Sequence, residues 1–125
     1  MMPQIILVVD DDNSIALTLK TALLKDGYEV ITATNGDEAL NLIKTTVPDL
    51  IITDLVMPVM DGWYFNMNVR KDKRFKTTPI IILSSLLSPE ATQQEQEAST
   101  FYVPKPFNTS TLLEKIKELL GPRHS

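Results

Sequence analysis

The chain contains no cysteine, which excludes disulfide cross-links and thiolate metal sites. No apolar run approaches the ~20 residues that a membrane-spanning helix needs. The N-terminus lacks a basic region followed by a long apolar stretch, so no signal peptide is expected, and the expected location is cytoplasmic. Histidine occurs once, at His124 in the C-terminal tail, and is read as neither a ligand nor a reacting group. Internal repeats, low-complexity tracts and interdomain linkers are also missing. So is an excess of positive charge. The net charge is −4, and the basic residues are scattered apart from Arg70-Lys71-Asp72-Lys73-Arg74, which reads as a solvated helix end. Direct nucleic-acid binding is therefore disfavoured.

What is present fits one domain over residues 1–125. With 125 residues and 43% hydrophobic side chains the chain can bury a core, expected over about residues 4–120. Five strand-like runs alternate with five helix-like runs. Gln4 to Val9 reads as the first strand, apolar without a break from Ile5 onward, as a parallel strand buried on both faces should be. Tyr28 to Ala33, Leu50 to Thr53, Ile80 to Leu83 and Thr100 to Val103 read as the other strands. Asn13-Ser14 offers two N-cap residue types before Ile15, Leu19, Ala22 and Leu23 at helical spacing, and Asp26-Gly27 stops that helix. Asp37 starts a second helix with Ala39, Leu40 and Ile43 as its apolar face. Asp61 starts a third, with Trp63, Phe65 and Val69 on or near its apolar side. Ser88-Pro89-Glu90 opens a polar fourth helix that runs to about Glu97. Asn108 caps a fifth, carrying Leu112, Leu113, Ile116, Leu119 and Leu120, and Gly121-Pro122 ends it. This alternation means α/β, with a parallel sheet covered on both faces.

In such sheets ligands sit beyond the carboxyl ends of the strands, where strand order reverses. Four strand ends here carry polar groups. Leu7-Val8-Val9 runs into Asp10, Asp11 and Asp12. Ile51-Ile52-Thr53 runs into Asp54 and then a loop closed by Pro58 and Asp61-Gly62. The fourth strand ends at Ser84, and Tyr102-Val103-Pro104 leads to Lys105. Carboxylates gathered in one pocket repel, and a divalent cation relieves that repulsion. Oxygen-only ligands that leave room for water and phosphate suit Mg²⁺. A lysine supplies a point charge for phosphoryl oxygens, and a carboxylate can attack phosphorus to form an acyl phosphate. The pattern points to a metal-dependent phosphoryl-acceptor site.

It also resembles the receiver domain of two-component response regulators, the family of the single-domain chemotaxis regulator. The resemblance covers roughly Gln4 to Leu120. It rests on Leu7-Val8-Val9-Asp10-Asp11-Asp12, on Asp54 with Met57-Pro58 and Met60-Asp61-Gly62, on Ser84-Ser85, and on Lys105-Pro106-Phe107. It implies a flavodoxin-like, doubly wound, five-stranded parallel sheet of order 2-1-3-4-5 with five helices, an order for which this family is itself the standing illustration. It implies a signalling switch rather than a metabolic enzyme. A histidine kinase or histidine phosphotransfer protein donates a phosphoryl group to Asp54, and an altered face engages a downstream protein target or output domain. Dimer formation on phosphorylation stays open, and neither nucleic acid nor membrane is an expected direct partner.

By the same resemblance, Asp11 and Asp54 bind Mg²⁺ directly together with the backbone carbonyl of Val56, and Asp10 acts through water or hydrogen bonds. Asp12 has either a site role or a capping role at the first helix. Lys105 contacts the phosphoryl oxygens, and the Lys105-Pro106 bond is cis in the family. Ser84 hydrogen-bonds the phosphoryl group, beside a small side chain at Ser85. Tyr102 occupies the aromatic switch position. There Ser84 moves toward the phosphate and the ring turns into the vacated space, shifting a two-state equilibrium. The responding face combines the Pro89–Glu97 helix, the Thr100–Val103 strand and the last helix. The other reading of Tyr102 is a half-buried aromatic that never switches.

Some positions depart from the family pattern. Val56 and Leu86, two residues after Asp54 and Ser84, are apolar where relatives often carry polar side chains. Apolar groups there hinder in-line water, so slow self-dephosphorylation is expected. Asn66 interrupts a stripe that is normally apolar, Ala98-Ser99 replaces the usual Gly-Ala, and Pro104 precedes Lys105. Two rival functions remain. A phosphatase resembling the haloacid dehalogenase group wants a second acid two residues after the nucleophile, where Val56 stands. A phosphorylation-independent receiver-like binding module usually lacks one of the acids or the lysine, all of which are present. A stand-alone regulator and a receiver within a longer protein both fit the sequence.

Overall fold

The computed structural model describes residues 3–57, 60–85 and 99–121. Five strands, β1 (Ile5–Val9), β2 (Glu29–Ala33), β3 (Leu50–Asp54), β4 (Ile80–Ser84) and β5 (Thr100–Pro104), form one sheet in the order β2-β1-β3-β4-β5. Every neighbouring pair is parallel. Among the described residues the helices are α1 (Asn13–Lys25), α2 (Gly36–Leu42), α3 (Gly62–Arg70) and α4 (Thr109–Leu120), with a 3-10 turn at Lys73–Phe75. The expected polar helix from Pro89 to about Glu97 lies outside the described residues, and the expected fifth helix is α4. No helix among the described residues is long and apolar enough to cross a membrane.

The continuous apolar runs are explained by burial on both sheet faces. Successive strand residues point to opposite sides. Leu7, Val9, Ile51, Ile80, Ile82 and Tyr102 therefore meet Ala39, Ile43, Phe65, Val69 and Phe75 on one face. Ile6, Val8, Leu50, Ile52, Ile81 and Leu83 meet Leu19, Leu23, Tyr28, Leu112 and Ile116 on the other. The chain starts at β1, steps out to β2, then crosses back to β3 on the other side of β1. That reversal opens a crevice at the strand ends between β1 and β3.

Element ends move by a residue or two from expectation, each for a local reason. Asp12, not Asn13 or Ser14, caps α1: its carboxylate accepts the backbone N–H groups of Ser14 at 2.9 Å and Ile15 at 3.3 Å. At the other end, Tyr28 N–H donates to the Leu23 carbonyl and Gly27 N–H to that of Leu24, with Gly27 at φ 93°. This is a Schellman ending, in which glycine takes the left-handed conformation. Asn35 caps α2, accepting the Glu38 N–H at 2.8 Å, so the helix begins at Gly36 rather than Asp37. Asp61 caps α3 as expected. Trp63, expected near the apolar side of that helix, faces solvent instead. At ~100° per residue it lies about 200° around from Phe65, which is buried with Val69.

Arg70 also departs from expectation. It is not a solvated helix end. Its guanidinium donates to the carbonyls of Phe75 at 2.6 Å, Thr78 at 2.7 Å and Ser99 at 3.0 Å, and to Thr100 Oγ1 at 3.1 Å. One side chain thereby ties the end of α3 to the loop before β4 and to the start of β5. The remainder of that basic run is solvated as expected, with Arg74 paired to Asp72 at 2.7 Å. Removing Arg70 strips several part-buried carbonyls of a charged donor. Arg70→Ala is expected to lower the unfolding free energy in urea by about 2–3 kcal/mol. Arg70→Lys should restore only part of it, because an ammonium has no fork to span these acceptors. An unchanged urea midpoint in Arg70→Ala would show that the clamp adds nothing.

Candidate functional site

The site is assembled by extensions of the sheet. Asp10 follows β1, and its backbone N–H still donates to the Ala33 carbonyl of β2 at 3.0 Å. Asp54 is the last residue of β3, and the next amide, Leu55 N–H, donates to Leu83 of β4 at 2.8 Å. Lys105 N–H donates to the Ser84 carbonyl at 2.9 Å, so the β4–β5 ladder carries the lysine to the same edge. The result is a convergence of three sequence-distant groups. Lys105 Nζ lies 3.2 Å from Asp54 Oδ1 and 3.6 Å from Asp10 Oδ2. One carboxylate oxygen from each of Asp10, Asp11 and Asp54 lies within 4.8 Å of the others.

Two backbone devices hold these groups. Asp12 N–H donates to Asp10 Oδ1 at 2.8 Å, the turn an aspartate makes with the amide two residues on. Gly62 N–H donates to the Leu55 carbonyl at 2.7 Å. A Cβ on Gly62 would fall 2.5 Å from the Asp54 carbonyl oxygen and 3.0 Å from the Leu55 Cα. Both are backbone atoms, so only glycine lets α3 abut the Asp54 loop. Neither device is visible as chemistry in the sequence. The first could have been found from Asp10-Asp11-Asp12 as an Asx turn. The second is legible only as a glycine directly after the Asp61 cap.

The charges do not balance. At an effective dielectric constant of ~20, Lys105 attracts Asp54 by about 5 kcal/mol at 3.2 Å and Asp10 by a similar amount at 3.6 Å. Each of the three carboxylate pairs, within 4.8 Å, repels by at least about 3 kcal/mol on the same scale. One lysine therefore roughly cancels the repulsion, and nothing is left against the cost of burying Asp10. Burial accordingly pushes the Asp10 carboxyl above its ordinary pKa. The Asp12 amide and Lys105 oppose this, and the charges of Asp54 and Asp11 add to it. Asp10 Oδ2 is buried and accepts no hydrogen bond among the described residues. An all-oxygen cluster with an unsatisfied buried oxygen fits a hard divalent cation, Mg²⁺ in particular.

The other expected residues are placed as follows. Ser84 is buried at the end of β4, and Ser85 beyond it is exposed. Tyr102 is buried, not half-buried, in the apolar cluster that contains Phe65, Val69 and Ile82. Val56 is 57% exposed beside the site. The Asp12 carboxylate caps α1 and is not in the three-carboxylate cluster, which favours its capping role. The Lys105-Pro106 bond is cis. Pro58 and Leu86 lie outside the described residues, as does His124.

A parallel sheet of this order with an acid cluster and one lysine at its carboxyl edge defines an aspartate-centred receiver module. Comparison with known proteins gives the family. The profile of the response regulator receiver domain matches residues 6–117, and the chain belongs to that family of two-component signalling domains. It is 39% identical over 114 residues to Protein PilG of Pseudomonas aeruginosa, covering 90% of this chain and 84% of PilG. It is 41% identical over 117 residues to the Probable transcriptional regulator ycf27 of Porphyra purpurea, covering 92% of this chain and 46% of that protein. The chain thus spans about half the length of the ycf27 relatives it matches. Among solved structures, chemotaxis protein CheY4 of Vibrio cholerae is similar, with a TM-score of 0.85 and 39% identity, covering 95% of this chain and all of that one (100%).

The charge imbalance has a measurable consequence. In metal-free buffer Asp54→Asn, which removes one of the repelling carboxylates, is expected to stabilise the domain by roughly 1 kcal/mol, a rise of about 3–5 °C in Tm. Mg²⁺ should then raise the Tm of the wild type more than that of the variant. A metal-free Tm that falls in Asp54→Asn would mean that the Lys105–Asp54 attraction outweighs the repulsion.

Proposed function

We propose that the domain accepts a phosphoryl group on Asp54 from a phosphohistidine of another protein, either a histidine kinase or a histidine phosphotransfer protein. The observation that carries this reading is the convergence of Lys105 on Asp54 at 3.2 Å beside a second, buried carboxylate. In the transfer, an Asp54 carboxylate oxygen forms the new O–P bond as the donor's N–P bond breaks, and the departing imidazole keeps the electron pair. Such a reaction asks for positioning and charge neutralisation more than for covalent machinery. Lys105 meets the phosphoryl oxygens, and the Ser84 hydroxyl donates to one of them once the group is in place. Asp11, Asp54 and the Val56 carbonyl would hold Mg²⁺, with Asp10 acting through water or hydrogen bonds. The ion, when bound, neutralises charge that builds on the transferring oxygens.

The output follows from the same strands. Ser84 and Tyr102 stand on the paired strands β4 and β5, with Ile82 opposite Tyr102. Movement of Ser84 toward a phosphoryl group alters the packing around the ring and biases the face that includes β5 and α4. That face would bind a downstream protein target or output domain. The domain is a signalling switch in the cytoplasm that catalyses its own modification. The open apolar side chain at Val56 disfavours a positioned attacking water, which supports slow dephosphorylation.

Intact-mass spectrometry after incubation with acetyl phosphate tests the first step. The expected result is gain of one phosphoryl group that requires both Mg²⁺ and Asp54, and is absent in Asp54→Ala. Folded wild type that gains nothing with Mg²⁺ present would point instead to a phosphorylation-independent binding module. The decay of the same mass peak tests the second. Val56→Asn is expected to shorten the phosphoryl lifetime about tenfold, a barrier lowered by ~1.4 kcal/mol. Equal lifetimes would remove Val56 from the control of hydrolysis.

A further inference from the structure

Helix α3 leaves its outer face bare. Trp63, Tyr64 and Met67 are each 56% exposed, whereas Phe65, Asn66 and Val69 of the same helix are buried. Positions 63 and 67, 64 and 67, and 67 and 71 are three or four residues apart, so they form one stripe that ends at Lys71, the C-cap residue. At that end the charge of the chain reverses. Residues 70–76 hold five cations against Asp72 alone, a local +4 in a chain of net −4, which leaves −8 for everything else. Arg70 is engaged by backbone carbonyls and Arg74 by Asp72. Lys71, Lys73 and Lys76 are exposed and, among the described residues, enter no ion pair. Tryptophan, tyrosine and methionine are enriched in protein interfaces, and charged side chains gather at their rims.

We propose that this stripe is a docking surface for an acidic amphipathic helix of another protein. Its apolar side chains would lie on Trp63, Tyr64 and Met67, and its carboxylates would face Lys71, Lys73 and Lys76. Charge selects this occupant over others. A second copy docked with the two α3 helices parallel would set one basic end against the other, and docked antiparallel would offer it Asp61, whose carboxylate already caps the helix. An anionic membrane would meet the remaining −8, with only three exposed apolar side chains on a nine-residue helix to hold it. The surface does not include Lys105, Ser84 or the acid cluster, so the proposal stands or falls separately from the phosphoryl chemistry.

Trp63 is the sole tryptophan and reports on its own surface. The test uses two synthetic helical peptides with identical apolar positions, one flanked by glutamates and the other by lysines. The glutamate peptide is expected to shift Trp63 emission and to move the backbone amide resonances of residues 63–76, with affinity falling as salt rises. The lysine peptide should leave both unchanged. Met67→Ala, and separately the triple change Lys71→Glu, Lys73→Glu and Lys76→Glu, should each weaken binding about tenfold. Circular dichroism of these surface variants should match the wild type. Equal binding of both peptides, shifts that map away from α3, or full affinity in the triple variant would overturn the proposal. So would two other outcomes. One is phosphatidylglycerol-containing vesicles shifting Trp63 where the glutamate peptide does not. The other is self-association in sedimentation that Trp63→Ala abolishes, which would assign the face to a second copy.

Discussion

The rest of the structure is arranged around a repulsion. Asp10, Asp11 and Asp54 hold carboxylate oxygens within 4.8 Å of one another, and among the described residues Lys105 is the one cation paired with them. Left to itself such a cluster would spread into water. It stays together because each member is an extension of a buried parallel strand. The register that pairs Val9 with Thr53 and Asp54 with Leu83 fixes where each chain leaves the sheet. Two apolar layers, one on each face, supply the stability that the site itself does not. The unbalanced charge is then a stored preference for cations and for groups that bring their own counter-ions.

Much of this is legible in the sequence, because the relevant signals are short-range. Apolar runs of four to six residues ending in Asp10, Asp54, Ser84 and Lys105 announce both the strands and the edge that carries chemistry. Strand order came from the family resemblance, not from periodicity. The misplaced features have physical reasons. Asp12, Asn13 and Ser14 are all good caps, and only the turn that binds Asp12 N–H to Asp10 Oδ1 decides among them. Trp63 is hydrophobic, but helix geometry opposes it to the Phe65–Val69 stripe. Arg70 sits in a run of like charges, and its partners Ser99 and Thr100 are 29 and 30 residues away in sequence. A local reading has no access to such a contact. Gly62 is of the same kind, since its constraint is the backbone of Asp54 and Leu55 lying where a Cβ would stand.

Gly62 and Arg70 also change what α3 is for. The helix begins against the backbone of Asp54 and Leu55. It ends in a guanidinium that grips Ser99 and Thr100 at the start of β5. The far end of β5 leads into Lys105, and Lys105 is itself hydrogen-bonded to the Ser84 carbonyl. A closed circuit therefore runs from Asp54 through α3 and β5 back to Asp54. Each link is a backbone contact or a multidentate hydrogen bond except the last, the Lys105 Nζ–Asp54 Oδ1 ion pair at 3.2 Å. Interiors packed in this way respond to a local push by shifting between discrete arrangements. In a domain proposed to take a phosphoryl group at Asp54, a disturbance there has two directions to travel, along β4 and β5 beneath Tyr102 and along α3. The outer side of α3, with its aromatic stripe and basic end, lies on that second path. A partner seated there would bear on the same helix whose first residue, Gly62, abuts the backbone of Asp54 and Leu55.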